Sequence, residues 1–375
     1  MKRVAIFTPG GVAREDVGVH IPSLYRLIVG LSDDFEIVVF SLLPFQQTNL
    51  PTFCGKAQVR YLFANPTDHW LKKVFLWVRT FAAEHRKKKF DIVHAMLGLI
   101  PEFSAIISAR LYSLPAIVSF FGGETDWDQQ PSKKTLRAVV LEHLTRLIVR
   151  NATTLTLLTD FQRNELIGKK IQHRDIKIIP HGIDTTIFMG IVKRSAKEPY
   201  HLLNIANIAA VKDQRILLKS LQIVCREVQC VLRIVGADYL DGSLQHFAES
   251  LNIRDRVEFY GFIPYQQIPE HLSWADVLVH SSRHEGQGVI FVEAAASKTP
   301  IVSTRVGLAF DLDSKGILAS TVGDPHKLAR NILKSLVDPV TVQEQIDLAF
   351  QWAQDHPISW TVSAYKALYN ITFHP

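Results

Sequence analysis

Residues 281–296 read Ser281-Ser282-Arg283-His284-Glu285-Gly286-Gln287-Gly288-Val289-Ile290-Phe291-Val292-Glu293-Ala294-Ala295-Ala296. A strand ends ahead of them, Gly286 and Gly288 shape a tight loop, and a helix starts near Val289. Backbone N–H groups at such a helix start have no partner within the helix and point toward an anion, which suits a nucleotide diphosphate. Glu285 precedes the helix and Glu293 lies about one turn inside it. One carboxylate can therefore project from the loop while the other approaches a hydroxyl of the kind that sugars and ribose carry. Ala294 to Ala296 make Glu293's side of the helix a buried one, and a buried acid needs a ligand or a partner. A helix cap with a solvated glutamate is the alternative reading.

The alternation of strand, turn and helix runs along the whole chain. Short β-branched runs at 4–8, 35–41, 91–95, 116–120 and 154–158 read as strands, and helix-length amphipathic segments separate them. Near-continuous apolar runs are expected where helices cover both faces of a parallel sheet, so the first part reads as a doubly wound α/β domain. A polar stretch at 193–199 reads as a linker, and a second series follows at 202–206, 231–235, 257–260, 277–280 and 300–303, with helices from Asp213, Ser243, Tyr265 and Val289. Two such domains facing a central cleft are expected, an N-terminal one over 1–190 and a C-terminal one over 191–355. Ligands of open α/β sheets bind beyond the carboxyl ends of the strands, which directs attention to the strand-to-helix loops.

Composition narrows the classes. With 375 residues, 47% hydrophobic and 21% charged, the chain is a packed globular protein of two or three domains rather than a disordered one. No internal repeat occurs. Cys54, Cys225 and Cys230 are too few and too uneven for a disulfide framework, and no Cys/His group has zinc spacing, so a reducing, cytoplasmic setting and no metal site are expected. The apolar run at 4–8 is too short for a signal peptide, and the stretch at 105–121 is broken by Arg110 and Pro115, so no transmembrane helix is expected.

Charge is uneven. There are 24 Lys and Arg against 17 Asp and Glu through residue 190, and 18 against 19 after it. A basic front half suits an anionic membrane surface or nucleic acid, or is simply a solvated face. Within it, residues 69–89 place apolar side chains at 70, 74, 77, 78 and 81 with basic residues between them, the pattern of a helix lying on an anionic leaflet. A core-facing helix with a solvated basic edge carries the same pattern. No base-stacking or helix-turn-helix module is visible, so nucleic acid is not an expected partner.

Taken together, these segments resemble the retaining GT-B glycosyltransferases of family 4. The resemblance rests on Pro9-Gly10-Gly11, Asp91-Ile92-Val93-His94, Ile179-Pro180-His181-Gly182-Ile183-Asp184 with Phe188, Lys212-Asp213, Gly236, Gly261-Phe262, the 285–293 segment with Thr299-Pro300-Ile301-Val302, Gly323-Asp324-Pro325 and Ser359-Trp360. It implies two Rossmann-like domains, with the nucleotide-sugar on the second and the acceptor on the first. It also implies a C-terminal segment, 356–375, crossing back to the first domain.

Carried over by position, Glu285 would meet the donor sugar and Lys212 the diphosphate. Glu293 would hold the ribose, with Asn207, Gly236, Gly288, Val289, Ile290 and Gly11 completing the donor site. On the acceptor side stand Glu124, Asp126 and His181. The family is metal-independent, and no Asp-x-Asp motif is present here to hold a divalent ion on a diphosphate. No cofactor is expected.

Three departures are legible. Asn207 stands where the family commonly has Arg, Phe121 where it often has a loop His, and Asp311 where a Glu usually lies near the sugar. The reading is a hexosyltransferase moving sugar from a UDP- or GDP-sugar to a saccharide or lipid-linked saccharide in cell-surface polysaccharide synthesis. The protein would be cytoplasmic or peripheral on the inner membrane face. A nucleotide-sugar 2-epimerase and a donor-binding protein with impaired chemistry are the alternatives.

Overall fold

Strands that are apolar along their whole length must be covered on both faces, and the computed structural model shows two sheets built that way. It describes every residue except 11, 13–20, 44–49, 51, 66, 125–134, 193–196 and 374–375. The chain divides into two compact units, Met1–Gly182 with Ile358–Pro375, and Ile183–Pro357.

The first unit runs β1 (Arg3–Thr8), α1 (Pro22–Leu31), β2 (Glu36–Leu43), β3 (Phe53–Cys54), β4 (Ala57–Phe63), α2 (Trp70–Lys87), β5 (Ile92–Met96), α3 (Leu99–Leu111), β6 (Ala116–Phe120), α4 (Leu136–Asn151), β7 (Thr154–Leu157), α5 (Asp160–Gly168) and β8 (Ile176–Ile178). Its sheet has the order β3-β4-β2-β1-β5-β6-β7-β8, parallel throughout except for β3. Side chains of β1 alternate between two cores, Ala5 and Phe7 with Trp77 and Phe81 on one face, Val4 and Ile6 with Leu24 and Leu27 on the other. The β3–β4 ribbon and β8 escape the sequence reading. Gln58 and Arg60 interrupt β4 as befits a half-buried strand near a sheet edge, and β8 is three residues long.

The second unit runs β9 (Tyr200–Ile205), α6 (Gln214–Val224), β10 (Cys230–Val235), α7 (Ser243–Ser250), β11 (Val257–Gly261), α8 (Ile268–Trp274), β12 (Val277–His280), α9 (Val289–Ala296), β13 (Ile301–Thr304), α10 (Leu308–Asp311), β14 (Leu318–Ser320), α11 (Pro325–Val337) and α12 (Pro339–Asp355). Its all-parallel sheet has the order β11-β10-β9-β12-β13-β14. The division falls after Gly182 rather than at the expected 190, because Ile183 and Phe188 are buried in the second unit's core.

The last helix, α13 (Ile358–Phe373), packs on the first unit. His94 on β5 lies 2.6 Å from the Tyr369 hydroxyl and 2.7 Å from that of Ser119, while Tyr365 meets Ser119 and Thr156 at 3.1 and 3.0 Å. Burial pushes the His94 pKa down to about 3, so the ring is neutral and fastens the helix by hydrogen bonds alone. Trp360 stays partly exposed.

Helix α2 decides between its two readings in favour of the core-facing one. Val74, Trp77 and Phe81 are buried in the first unit's core, where Trp77 stacks on Phe7 at 6.4 Å. Its exposed apolar residues are Leu71 and Phe75.

Candidate functional site

The strands of the second unit end in loops tied to one another. After β9, residues Ala210–Lys212 form a 3-10 turn, and Asp213 adopts a left-handed φ of 46° before α6. Across from it, the Arg283 N–H donates to the Val211 carbonyl at 2.8 Å, the Ser281 hydroxyl to the Lys212 carbonyl at 2.9 Å, and the Arg283 side chain to Asp213 at 2.8 Å. These three bonds fix the backbone at Lys212. Its ammonium then reaches the Glu285 carboxylate, with Nζ 2.5 Å from Oε1.

The same Oε1 meets two further groups. The Ser282 hydroxyl donates to it at 2.7 Å, and Nε2 of His280, the last residue of β12, lies 2.8 Å away. His280 Nδ1 is buried without a hydrogen-bond partner, so the proton belongs on Nε2, where it gives Oε1 another donor. Burial works against the Glu285 charge, but the His280 hydrogen bond and the Lys212 charge outweigh it and hold the carboxyl well below the usual range. The site thus keeps a fixed anion beside a cation.

Helix α9 begins four residues after Glu285. Gly288, its N-cap, has a φ of 81°, and a Cβ there would come within 2.6 Å of the Phe291 ring, so only glycine fits the turn. Val289 and Ile290 open the helix, leaving their N–H groups free of intrahelical partners. Glu293 is buried on this helix. Burial pushes its carboxyl up to about 7 against a hydrogen bond from the Tyr265 side chain, so part of the population is protonated near neutrality.

Asn207 and Gly236 shape the neighbouring loops. The Asn207 side-chain oxygen accepts the Ala237 N–H at 3.1 Å, and its carbonyl accepts the Gln214 side chain at 3.0 Å. Gly236 has a φ of 147°, and a Cβ there would lie 2.2 Å from the Ala206 carbonyl oxygen. The structure therefore brings Lys212 and Glu285 together and gives Asn207 and Gly236 loop-packing roles. No contact joins Glu285 to Glu293.

In the first unit Glu124 is buried at the end of β6. Its carboxylate accepts the N–H groups of Gly98, Phe121 and Gly122 at 3.2, 3.3 and 2.6 Å. Burial still raises its pKa above the ordinary value despite those bonds. His181, also buried, lies edge-on to Phe121 with ring centroids 4.2 Å apart, and burial lowers its pKa to about 4. The histidine that the resemblance leads one to seek at 121 is thus replaced by a ring packed on another histidine, which is neutral. Gly11 and Asp126 lie outside the described residues.

Three groups escaped the sequence reading. His280 looks like a strand residue and Ser282 like a loop residue, and only the turn after β12 shows that both meet Glu285. Glu102, in the first turn of α3, is fully buried, and neither carboxyl oxygen has a hydrogen-bond partner. Burial, then the neighbouring Glu124 charge, push its pKa far above the ordinary value. Its signal was its place four residues after Gly98, at the end of a strand. Among the described residues no cluster of three or more His, Cys, Asp or Glu is placed to hold a metal, and no helix is long and apolar enough to cross a membrane.

Residues 191–352 match the family model for glycosyl transferases group 1, and residues 19–187 match that for glycosyltransferase family 4. The chain belongs to the group 1, family 4 glycosyltransferases. It is similar to the GDP-mannose-dependent alpha-(1-6)-phosphatidylinositol monomannoside mannosyltransferase of Mycolicibacterium smegmatis, at 25% identity over 64% of this chain and 65% of that one. It also resembles the alpha-monoglucosyldiacylglycerol synthase of Streptococcus pneumoniae, at 24% identity over 67% and 60%. The matched stretches span 44% to 65% of the lengths of these and other curated relatives. In fold it matches sucrose-phosphate synthase from Thermosynechococcus elongatus, with a TM-score of 0.83, 18% identity and coverage of 100% and 99%. It matches Anabaena HepE in complex with UDP-glucose at 0.76 and 16%, over 99% and 100% of the chains. The architecture is therefore GT-B.

Proposed function

We propose that the chain transfers a hexose from a UDP- or GDP-sugar to a hydroxyl of a saccharide or lipid-linked saccharide, with retention of anomeric configuration and without a metal or other cofactor. The work would belong to cell-surface polysaccharide synthesis on the inner face of the cytoplasmic membrane. The observation that carries this reading is the Lys212–Glu285 contact next to the open N-terminus of α9.

An ammonium has three donors, so Lys212 can keep Glu285 while it takes an oxygen of the departing diphosphate. Charge that builds on the leaving group then meets a cation already in place, which stabilises the transition state more than the ground state. The α9 amides share that task. Glu285, held ionised, accepts hydroxyls of the transferring sugar, and Glu293 accepts those of the ribose. The family membership, the names of the relatives and the UDP-glucose bound to HepE support a nucleotide-sugar donor.

The test is thermal shift and calorimetry of the protein against UDP-, GDP- and ADP-sugars, repeated with Glu293→Ala and Lys212→Ala. Binding of one donor class, weakened in both variants, followed by transfer to an added acceptor, is the expected outcome. Binding with no transfer to any acceptor would favour the donor-binding protein with impaired chemistry. Interconversion of the sugar without acceptor would favour the epimerase. No binding at all would end the donor reading.

A further inference from the structure

Helices α2, α3 and α4 of the first unit line a half-open cavity of about 450 Å³. Trp70 of α2 meets Phe103 of α3 edge-on at 6.0 Å and forms one wall, with Ile100 beside them. The opposite wall is a stripe along α4, Leu136, Val140 and Leu144, spaced four residues apart and so on one face. Every side chain that lines the cavity is apolar. Leu136 is 81% exposed and Val140 46%, so the stripe continues from the cavity onto the surface, and Leu71 and Phe75 of α2 are exposed as well.

The chemistry of the walls selects the occupant. A peptide would bring backbone N–H and C=O groups that find no partner there, at a cost that a hydrocarbon chain does not incur. The helix that supplies Trp70 is basic: Lys72, paired with Asp68 at 2.8 Å, and Lys73 follow it in the first turn, and Arg79, Arg86 and Lys87 lie further along against the single acid Glu84. An apolar slot beside a cationic helix complements the anionic surface of a bilayer and the chains beneath it. Position points the same way. The α3 wall starts immediately after Gly98, whose N–H holds Glu124, so the slot opens from the carboxyl ends of β5 and β6 where an acceptor headgroup would lie.

From this geometry we infer that the α2–α3–α4 cavity takes one hydrocarbon chain of a bilayer lipid, and that the acceptor is presented by that lipid. The inference rests on the transferase reading for its acceptor, but the site can be tested without any sugar chemistry.

Trp70 is the reporter. Vesicles of phosphatidylcholine and phosphatidylglycerol, 7:3, with brominated acyl chains are mixed with the full chain and tryptophan emission is read. Quenching that is lost in Trp70→Phe, together with at least tenfold weaker vesicle association of Leu136→Glu/Val140→Glu, is the expected result. Val340→Glu removes an exposed apolar residue of the second unit and should leave association unchanged.

Vesicle association with no Trp70-dependent quenching would overturn the proposal, since the contact would then be electrostatic alone. Absence of association would overturn it too. A wild-type dimer that Leu136→Glu converts to monomer in sedimentation would reassign the stripe to a second copy of the chain. Nucleotide-sugar calorimetry on the same variants separates the two readings. Intact donor binding without quenching sinks only the lipid slot, and quenching without donor binding sinks only the transferase.

Discussion

Each unit buries a glutamate where its strands end, and the two are held by opposite means. Glu285 is gripped by side chains, a lysine, a histidine and a serine on a single oxygen, and its pKa falls. Glu124 is held by backbone N–H groups, among them those of Gly98, Phe121 and Gly122, and burial raises its pKa; a second carboxyl, Glu102, lies near it. Both carboxylates accept several hydrogen bonds, so hydrogen bonding alone does not explain the difference. What differs is a nearby full positive charge that outweighs burial in the second unit, and burial with no cation to offset it in the first. The second unit therefore carries a permanent anion–cation pair suited to a charged donor. The first carries a carboxyl pair in which a proton is readily retained.

The strongest way to break this contrast is to remove the cation. Lys212→Ala leaves Glu285 buried with His280 and Ser282 as its remaining donors and takes the lysine's counter-charge from the leaving diphosphate. Transfer measured as kcat/KM should fall by roughly 10²–10³-fold, the range found when one group that stabilises developing charge is deleted. If the variant transfers sugar at the wild-type rate, Lys212 has no part in the chemistry and the pair is structural.

How much of this could be read beforehand follows from where each group sits. Glu285 and Glu293 flank a glycine turn and a helix start, features that sequence spacing exposes, whereas Lys212 is singled out only by the family resemblance. His280 and Ser282 depend on the way β12 bends into its loop, which no spacing encodes. Glu102 looks like any acid in a first helical turn, and its place four residues after Gly98 is too weak a signal to reveal that it is fully buried. Helix α2 is the instructive ambiguity. Its period of apolar residues correctly identifies one face of a helix, yet the pattern is the same whether that face meets a core or a leaflet. Tertiary packing alone put Trp77 and Phe81 inside and left Leu71 and Phe75 to solvent. The domain boundary slipped for a related reason, since Ile183 and Phe188 belong to the core that follows them.

A second prediction sharpens the contrast through pH. A carboxyl whose folded pKa lies above its unfolded value stabilises the fold fully below the unfolded pKa and loses that contribution as pH rises through the folded one. Glu293, pushed up to about 7 from 4.5, should therefore cost the unliganded protein on the order of 3 kcal/mol between pH 4.5 and 8. Glu293→Gln removes that slope, so in urea titrations it should be the more stable protein at pH 8 while it binds donor less tightly. Glu102→Gln should flatten the profile in the same direction, having its pKa raised by burial and by Glu124. Glu285, with its pKa lowered, has the opposite sign: it contributes stability above the unfolded carboxylate pKa, and that is lost only in acid. A Glu293→Gln profile parallel to wild type would show that the burial of this carboxyl is not retained in solution.

The smallest effect tests what holding by side chains means. Ser282→Ala deletes one of the three donors on Glu285 Oε1 and leaves Lys212 and His280 in place. A single hydrogen bond of this kind contributes about 1 kcal/mol net, so kcat/KM should drop about fivefold. The donors described on the Glu124 carboxylate are backbone amides, which a side-chain substitution does not remove. Released in steps in one unit and held as a block in the other, the two glutamates should then differ in additivity. If His280 and Ser282 act on one oxygen, the loss in His280→Gln/Ser282→Ala should differ from the sum of the single losses by more than the ~0.5 kcal/mol seen for independent sites. Strict additivity would mean that the two residues support the loop separately, and that the lysine alone positions the anion.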